Sequence, residues 1–427
     1  MIMMWTGGAS FMEYVLVVTL TALCVLMVHA SLDRRAANRV LPVVLAAFFV
    51  RLIVHVLVMR SGVIGYGGDN HTYQTRALEV AAYWNREGFR FVTSEQIGSL
   101  YSVEVPCNLF GAVVYLVGGP APLACTAVVA LIACGLCVVM YRFARLIGAD
   151  EPAAFRLLIF VAFLPAFLVH TSDTFKDGIN AFLVVACLGL VASSVRRFDV
   201  GKLLLLIPLL WALWHVRPYM VFMCGLPLIF GLSSIKRRLS MRGLVVSTVL
   251  LAVVLALIEG AGGNSPLSMM QEQLDHGQSA VVRNANADGG SGVLFEDSGN
   301  AWGAFGPKLL YTLLAPFPWM SGSLALQLGK IDTFFWYYLV YSAVRGARRL
   351  WNHDRTLLFV LVLFIIPSTI AYATTMANVG LIFRQRIPIV LVTSLLSAIA
   401  WTRTEQGGQL LPSLPAPIRD RMGGLRK

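Results

Sequence analysis

Long apolar runs dominate the chain, and polar residues fall between them in short groups. A helix that crosses a bilayer takes about 20 mostly apolar residues. Such runs cover 11–31, 40–59, 121–141, 154–170, 178–195, 203–216, 218–234, 243–261, 331–346, 356–374 and 387–401. The pattern predicts an all-α polytopic transmembrane bundle of about eleven spans. The first run reads as a span and not as a signal peptide, because no basic residue precedes it, Glu13 stands at its start, and further spans follow. Residues 1–403 form the predicted helical domain, with long outer loops at 61–107 and 262–306. Residues 404–427, with a Gly-Gly pair, prolines and basic residues, read as a disordered basic cytoplasmic tail.

Composition agrees with this pattern. The chain is 57% hydrophobic and 13% charged, where a soluble domain carries about 25% charged residues. Mean hydropathy is +0.73. A soluble enzyme, a disordered protein and a nucleic-acid binder are excluded on these grounds. The net charge of +12 could point to DNA, but its distribution gives another reason. Of the 34 basic residues, 22 fall in alternate loops, at Arg34–Arg39, Arg142–Arg156, Arg196–Lys202, Lys236–Arg242, Arg345–Arg355 and the tail. Cytoplasmic loops attract Lys and Arg. This places the N-terminus outside, the C-terminus in the cytoplasm, and the protein in the plasma (inner) membrane as a multi-pass chain. No nucleic-acid partner is needed; the bilayer itself is the partner implied.

The unusual polar segments all fall on the predicted outer face. The first outer loop opens Gly65-Tyr66-Gly67-Gly68-Asp69-Asn70-His71-Thr72-Tyr73. After it, Tyr73, Ala77, Val80, Ala81 and Trp84 recur at helical spacing, with Gln74, Arg76, Glu79 and Arg86 on other faces. This predicts an amphipathic surface helix. Asp69 is either its N-cap or a catalytic carboxylate. The second segment is His170-Thr171-Ser172-Asp173-Thr174-Phe175-Lys176-Asp177. Charges at a membrane boundary are costly and often functional. Asp173 and Asp177 are four apart, so they share a face if the helix begins there; the alternative is a capped helix start with a local Asp–Lys pair.

Arg217, between His215 and Pro218, offers bidentate donors suited to phosphate, or it snorkels to the interface. The last segment is Arg384-Gln385-Arg386-Ile387-Pro388. Two outer arginines break the charge rule, and anion binding is a reason for them. Pro316-Phe317-Pro318-Trp319 interrupts a segment that reads as interfacial or re-entrant, and Phe334–Tyr338 as an aromatic belt. Six of the seven cysteines lie within or beside apolar runs, and Cys134-x-x-Cys137 reads as small packing residues and not a metal site; Cys107 alone lies at the outer boundary, with no obvious disulfide partner. A P-loop, HExxH, GxSxG and Asp-x-Asp are all absent from the sequence, so a nucleotide-driven pump, a zinc protease and a serine hydrolase lose support.

Three features resemble the GT-C superfamily of membrane glycosyltransferases, which includes protein mannosyltransferases and lipid A aminoarabinose transferases. They are Asp69 in the first large outer loop ahead of a surface helix, Leu164-Pro165 leading into the cluster Asp173–Asp177, and a late Arg-x-Arg-x-Pro at Arg384–Pro388. The resemblance implies a transferase in cell-envelope glycan synthesis. Its donor would be a polyprenyl-phosphate sugar, and its acceptor a glycan, lipid or protein, met on the extracytoplasmic face. Asp69 would be the general base for the acceptor hydroxyl. Arg217, Arg384, Arg386 and Lys176 would hold the phosphate, with His71 and Tyr73 beside them. Asp173 or Asp177 would orient a cation, or hold a divalent metal (Mg or Mn) with Asp69 if the reaction uses one. Two rivals are an O-antigen-type polysaccharide polymerase acting on polyprenyl-pyrophosphate oligosaccharides, and a lipid or sugar transporter or flippase.

Overall fold

The structure is a computed structural model that describes residues 10–61, 68–197, 199–233, 302–321, 324–375 and 379–403, with positions 245 and 249 besides. Among the described residues every regular element is helical. Five helices among the described residues are long and apolar enough to cross a membrane: Phe11–Ser31, Arg34–Met59, Pro122–Ile147, Asp177–Arg196 and Arg355–Thr374. The predicted span at 243–261 apart from positions 245 and 249, nearly all of the loop 262–306 and the tail 404–427 lie outside the described residues.

Helix α1 (Phe11–Ser31) starts in a capping box. Ser10 N donates to Glu13 Oε2 at 3.1 Å and Glu13 N to Ser10 Oγ at 3.3 Å. The other oxygen of Glu13 accepts from Leu123 N and Ala124 N, at the start of α5 (Pro122–Ile147). One buried carboxylate therefore satisfies orphan donors at two helix starts. Helix α1 is peripheral, with Val18 and Leu26 more than 60% exposed. Helix α5 is central and packs on α1, on α2 (Arg34–Val54, continued by a π-helical turn to Met59), and on the helices Glu151–Ala162 and Asp177–Arg196. Its buried Ala127, Ala130, Ala133, Cys134 and Gly135 let those neighbours approach closely.

The segment 61–107 contains α3 (Asp69–Glu87), a 3₁₀ turn at Gly98–Leu100, and the start of α4 (Glu104–Val117). Helix α3 is the expected amphipathic helix, burying Tyr73, Ala77, Val80, Ala81 and Trp84 against α4. Gln74 is buried as well, contrary to its assignment to a polar face. Helix α4 was not foreseen. Asn108 ties it to the returning chain, its side chain accepting from Val92 N at 2.9 Å and donating to Val92 O at 2.7 Å.

The run 154–170 is two helices and not one span: α6 (Glu151–Ala162) and α7 (Pro165–Val169). Pro165 lacks an N–H and pushes Leu164 into extended geometry (φ −60°, ψ 121°), which ends α6. Four later helices follow the predicted runs: α8 (Asp177–Arg196), α9 (Val200–Trp214), α10 (Pro218–Ser233) and α13 (Arg355–Thr375). Helix α11 (Phe305–Leu314) precedes α12 (Leu324–His353), which extends the predicted run 331–346 to 30 residues. Helix α14 (Val379–Trp401) begins well before the predicted 387, so Arg384 and Arg386 are helical and not in a loop.

Helices α12 and α14 pack together along their length. A Cβ on Gly346 would collide with the Leu396 carbonyl oxygen, so only glycine fits that crossing. The aromatic run divides. Phe334, Phe335 and Tyr338 are exposed as a belt would be, but Trp336 is buried and donates from Nε1 to Leu313 O, while Tyr337 donates from its hydroxyl to Leu314 O. These bonds satisfy the C-terminal carbonyls of α11.

One end of the bundle is stitched by charges from the basic loops. Arg39 pairs with Glu151 at 3.1 Å. Asp150 accepts from Arg403 N, and Arg349 donates to the carbonyls of Ile399, Ala400 and Thr402. The starts of α3, α8, α10 and α14 meet at the other end.

Candidate functional site

Asp69 is the first residue of α3, and Gly68 precedes it with φ +77°, a left-handed geometry that glycine adopts without strain. Gly68 is the N-cap, so Asp69 is not. The Asp69 carboxylate reaches across to α14, where Arg384 donates from Nη1 to its Oδ2. The same guanidinium donates from Nε to Asp177 Oδ2 at 3.0 Å. Asp177 Oδ1 accepts from Arg217 Nη2 at 2.5 Å, and Arg217 Nη1 donates to the Tyr219 hydroxyl at 3.1 Å. Four elements far apart in sequence thus meet in one line: Asp69, Arg384, Asp177, Arg217, Tyr219. Arg384 also stands over the Phe175 ring, 5.5 Å from its centroid.

The two carboxylates differ in access. The Asp69 side chain is 42% exposed and the Asp177 side chain 1%. Asp177, the first residue of α8, is enclosed by its two arginines, where a helix N-terminus also favours negative charge. Asp69 lies open at the surface.

Asp173 stands apart from this line, because α8 begins at Asp177 and the two aspartates do not share a helical face. Asn70 Nδ2 donates to Asp173 Oδ2 at 2.8 Å, and Gln74 Nε2 to Oδ1 at 3.3 Å. Thr174 N donates to Oδ1 at 2.7 Å, and His55 Nδ1 lies 3.7 Å away. Asp173 therefore fastens the first turn of α3 to the chain between α7 and α8. Asn70 and Gln74 were not singled out in the sequence, although their spacing of four on a helix that begins at Asp69 is the signal that aligns them.

Lys176, partly buried at the start of α8, donates to Ser102 O at 3.1 Å and not to Asp177. Burial, then the charges of Arg217 and Arg384, bring its ammonium down to about 7, against the opposing pull of Asp177 and Asp69. Tyr73 is buried near Asp69, Asp177, Arg384 and Arg217; burial first, then the two carboxylates, push its hydroxyl well up. His71 is exposed, on a different face of α3 from Tyr73.

Arg386 is not part of this cluster. It is 2% exposed and donates from Nη1 to Leu313 O at 3.2 Å and Ala315 O at 3.3 Å. Its ring partner is Trp336, at 5.2 Å, and Asp332 lies 4.0 Å from Nη2. Asp332, a buried carboxylate that the sequence reading passed over, also accepts from Ala166 N at the start of α7.

A divalent metal would need Asp69 and Asp177 to face one another with oxygens directed inward. Arg384 stands between them, and Asp173 is already held by Asn70, Gln74 and Thr174. Among the described residues no group of three or more His, Cys, Asp or Glu is placed to hold a metal ion. The arrangement suits an anion held by cations better than a cation held by carboxylates. No protein-family model matches the chain, and no curated protein matches it.

Proposed function

We propose that the chain is a membrane glycosyltransferase that moves a sugar from a polyprenyl-phosphate donor to an acceptor hydroxyl, with chemistry at the Asp69–Arg384 pair. The observation that carries this reading is Arg384 bonded to an open carboxylate on one side and a closed one on the other. Asp177 is the anchor. It sets Arg384 and Arg217 side by side, with Lys176 adjacent in sequence, so that three cations serve one phosphate.

In this reading the donor phosphate enters at Arg384 and competes with Asp69 for the guanidinium. The released carboxylate then takes the proton from the acceptor hydroxyl as that oxygen attacks the anomeric carbon. The bond from the anomeric carbon to the phosphate oxygen breaks, and the polyprenyl phosphate leaves with both electrons. Positive charge develops on the sugar ring, and negative charge on the leaving oxygen is met by Arg384, Arg217 and Lys176. The proton ends on Asp69. Asp173 is a positioning residue, because it holds α3, and so Asp69, against α8. No step uses a metal. The long apolar helices fit a bilayer environment, which an isoprenoid donor requires. The basic residues concentrated in alternate loops support an extracytoplasmic position for this end of the bundle.

The test is mass spectrometry of lipids that copurify in mild detergent with the wild type and with Asp69→Asn. A polyprenyl monophosphate bearing one sugar, enriched in the variant, is the expected result. A pyrophosphate-linked oligosaccharide would replace this reading with the polymerase. Absence of any polyprenyl lipid from both proteins would overturn both readings and leave transport as the next hypothesis.

A further inference from the structure

The opposite end of the bundle carries a cavity rich in arginine. A cavity of 330 Å³ lies where the turn from α1 to α2 meets the end of α5 and the start of α6. Its charged lining is Arg35, Arg142, Arg145, Asp33 and Glu151. The two carboxylates are engaged elsewhere. Asp33 caps α2, accepting from Ala36 N at 3.2 Å, and Glu151 pairs with Arg39. Arg145 uses Nη1 on Ala149 O at 2.7 Å. Arg35 and Arg142 are exposed at the cavity and make no hydrogen bond or ion pair among the described residues. The cavity therefore presents two uncommitted guanidinium groups and a partly committed third, against two carboxylates each already bonded through one oxygen.

We infer that this cavity binds the phosphate of an anionic phospholipid. The shared chemistry is a phosphate anion taken by arginine forks. The lipid source is favoured by location. The cavity sits at the end of α1, a span-length helix that exposes Val18, Leu23 and Leu26, so acyl chains can lie along apolar surface beneath a head group in the cavity. Basic pockets between membrane helices on the cytoplasmic side hold such head groups. The inference does not depend on the glycosyltransferase reading, whose residues lie at the other end of the bundle.

Native mass spectrometry of the full chain, released from nanodiscs of phosphatidylglycerol and phosphatidylcholine, tests it. The wild type is expected to retain phosphatidylglycerol in preference, and Arg35→Ala with Arg142→Ala to lower that preference by roughly thirtyfold. Both side chains are exposed and unbonded, so the variant is expected to fold, and Arg35→Lys with Arg142→Lys is expected to recover most of the preference. An equal preference in wild type and alanine variant would overturn the inference, as would equal retention of the two lipids by the wild type. Inorganic phosphate supplies the second arm. If it raises the melting temperature of the wild type but not of the alanine variant, while phosphatidylglycerol has no effect on either, the ligand is a free ion and the lipid assignment fails.

Discussion

Arg384 and Arg386 stand two residues apart on α14 and face opposite sides of it. Two residues of α-helix turn the side chain by about 200°. Arg384 accordingly reaches Asp69 and Asp177, while Arg386 reaches the carbonyls that end α11 and stacks by Trp336. In the sequence they look like one basic motif. In the fold one belongs to the candidate site and the other to the scaffold behind it.

This separation predicts different consequences for the two substitutions. Arg384→Ala is expected to weaken donor binding by tenfold or more, roughly the loss of one charge-assisted contact. Arg386→Ala is expected to lower stability by about 3–5 kcal/mol, the scale for breaking a buried ion pair with one partner left behind, with donor affinity in the folded fraction little changed. Thermal melting and lipid binding measured on both variants separate the effects. Equal loss of affinity in both would return Arg386 to the phosphate site.

Asp69→Asn is expected to lower the transfer rate by about 10²–10⁴-fold, the usual contribution of a positioned general base. The substitution keeps size and hydrogen bonding but removes the proton acceptor, so melting should hardly move. Turnover assays with purified donor and acceptor measure this, and near-normal turnover would remove Asp69 from the chemistry.

Lys176 supplies a pH dependence. Its ammonium is lowered to about 7, so it is charged below that pH and neutral above. A phosphodiester donor does not titrate there, while Arg217 and Arg384 stay charged. Donor affinity should therefore fall as pH rises through 7, and Lys176→Met should bind more weakly at pH 6 with a flat profile. Binding isotherms between pH 5.5 and pH 8.5 check it; a pH-independent wild type would place Lys176 outside the phosphate site.

Asp173 should behave as a positioning residue. Asp173→Ala leaves Asn70 Nδ2 without its acceptor and Gln74 Nε2 with Thr174 Oγ1 alone, which loosens the first turn of α3. We expect a fall in turnover together with faster amide exchange at the start of α3. Loss of turnover with no change in exchange would point instead to direct participation in the reaction.

Gly346 tests the scaffold alone. Gly346→Ala sets a methyl against the Leu396 carbonyl, and overpacking of this kind typically costs about 1–3 kcal/mol. The melting temperature should drop while donor specificity is kept. An unchanged melting temperature would mean that α12 and α14 separate at little cost.

Much of the architecture was legible in the chain because hydrophobicity is local information. The apolar runs that became α1, α2, α5, α8 and α13 carry their own length and composition, which is all a membrane-spanning helix requires. The buried stripe of α3 was legible for the same reason, since period and burial go together. The break at Leu164-Pro165 was written in the proline, yet the hydropathy of the run concealed it.

The site was legible as residue types and not as partnerships. Asp69, Asp177, Arg217 and Arg384 drew attention as charges where charges are costly. That Arg384 bridges Asp69 and Asp177, that Asp173 fastens α3, and that Arg386 turns away were decided by the packing of α3, α8, α10 and α14. Hydrophobic pattern specifies which segments are helices; a partner hundreds of residues away is specified by how those helices cross and by each helix's rotation about its axis. A rotation of 100° per residue is enough to move a charge from the site to the scaffold, and only the assembled bundle sets it.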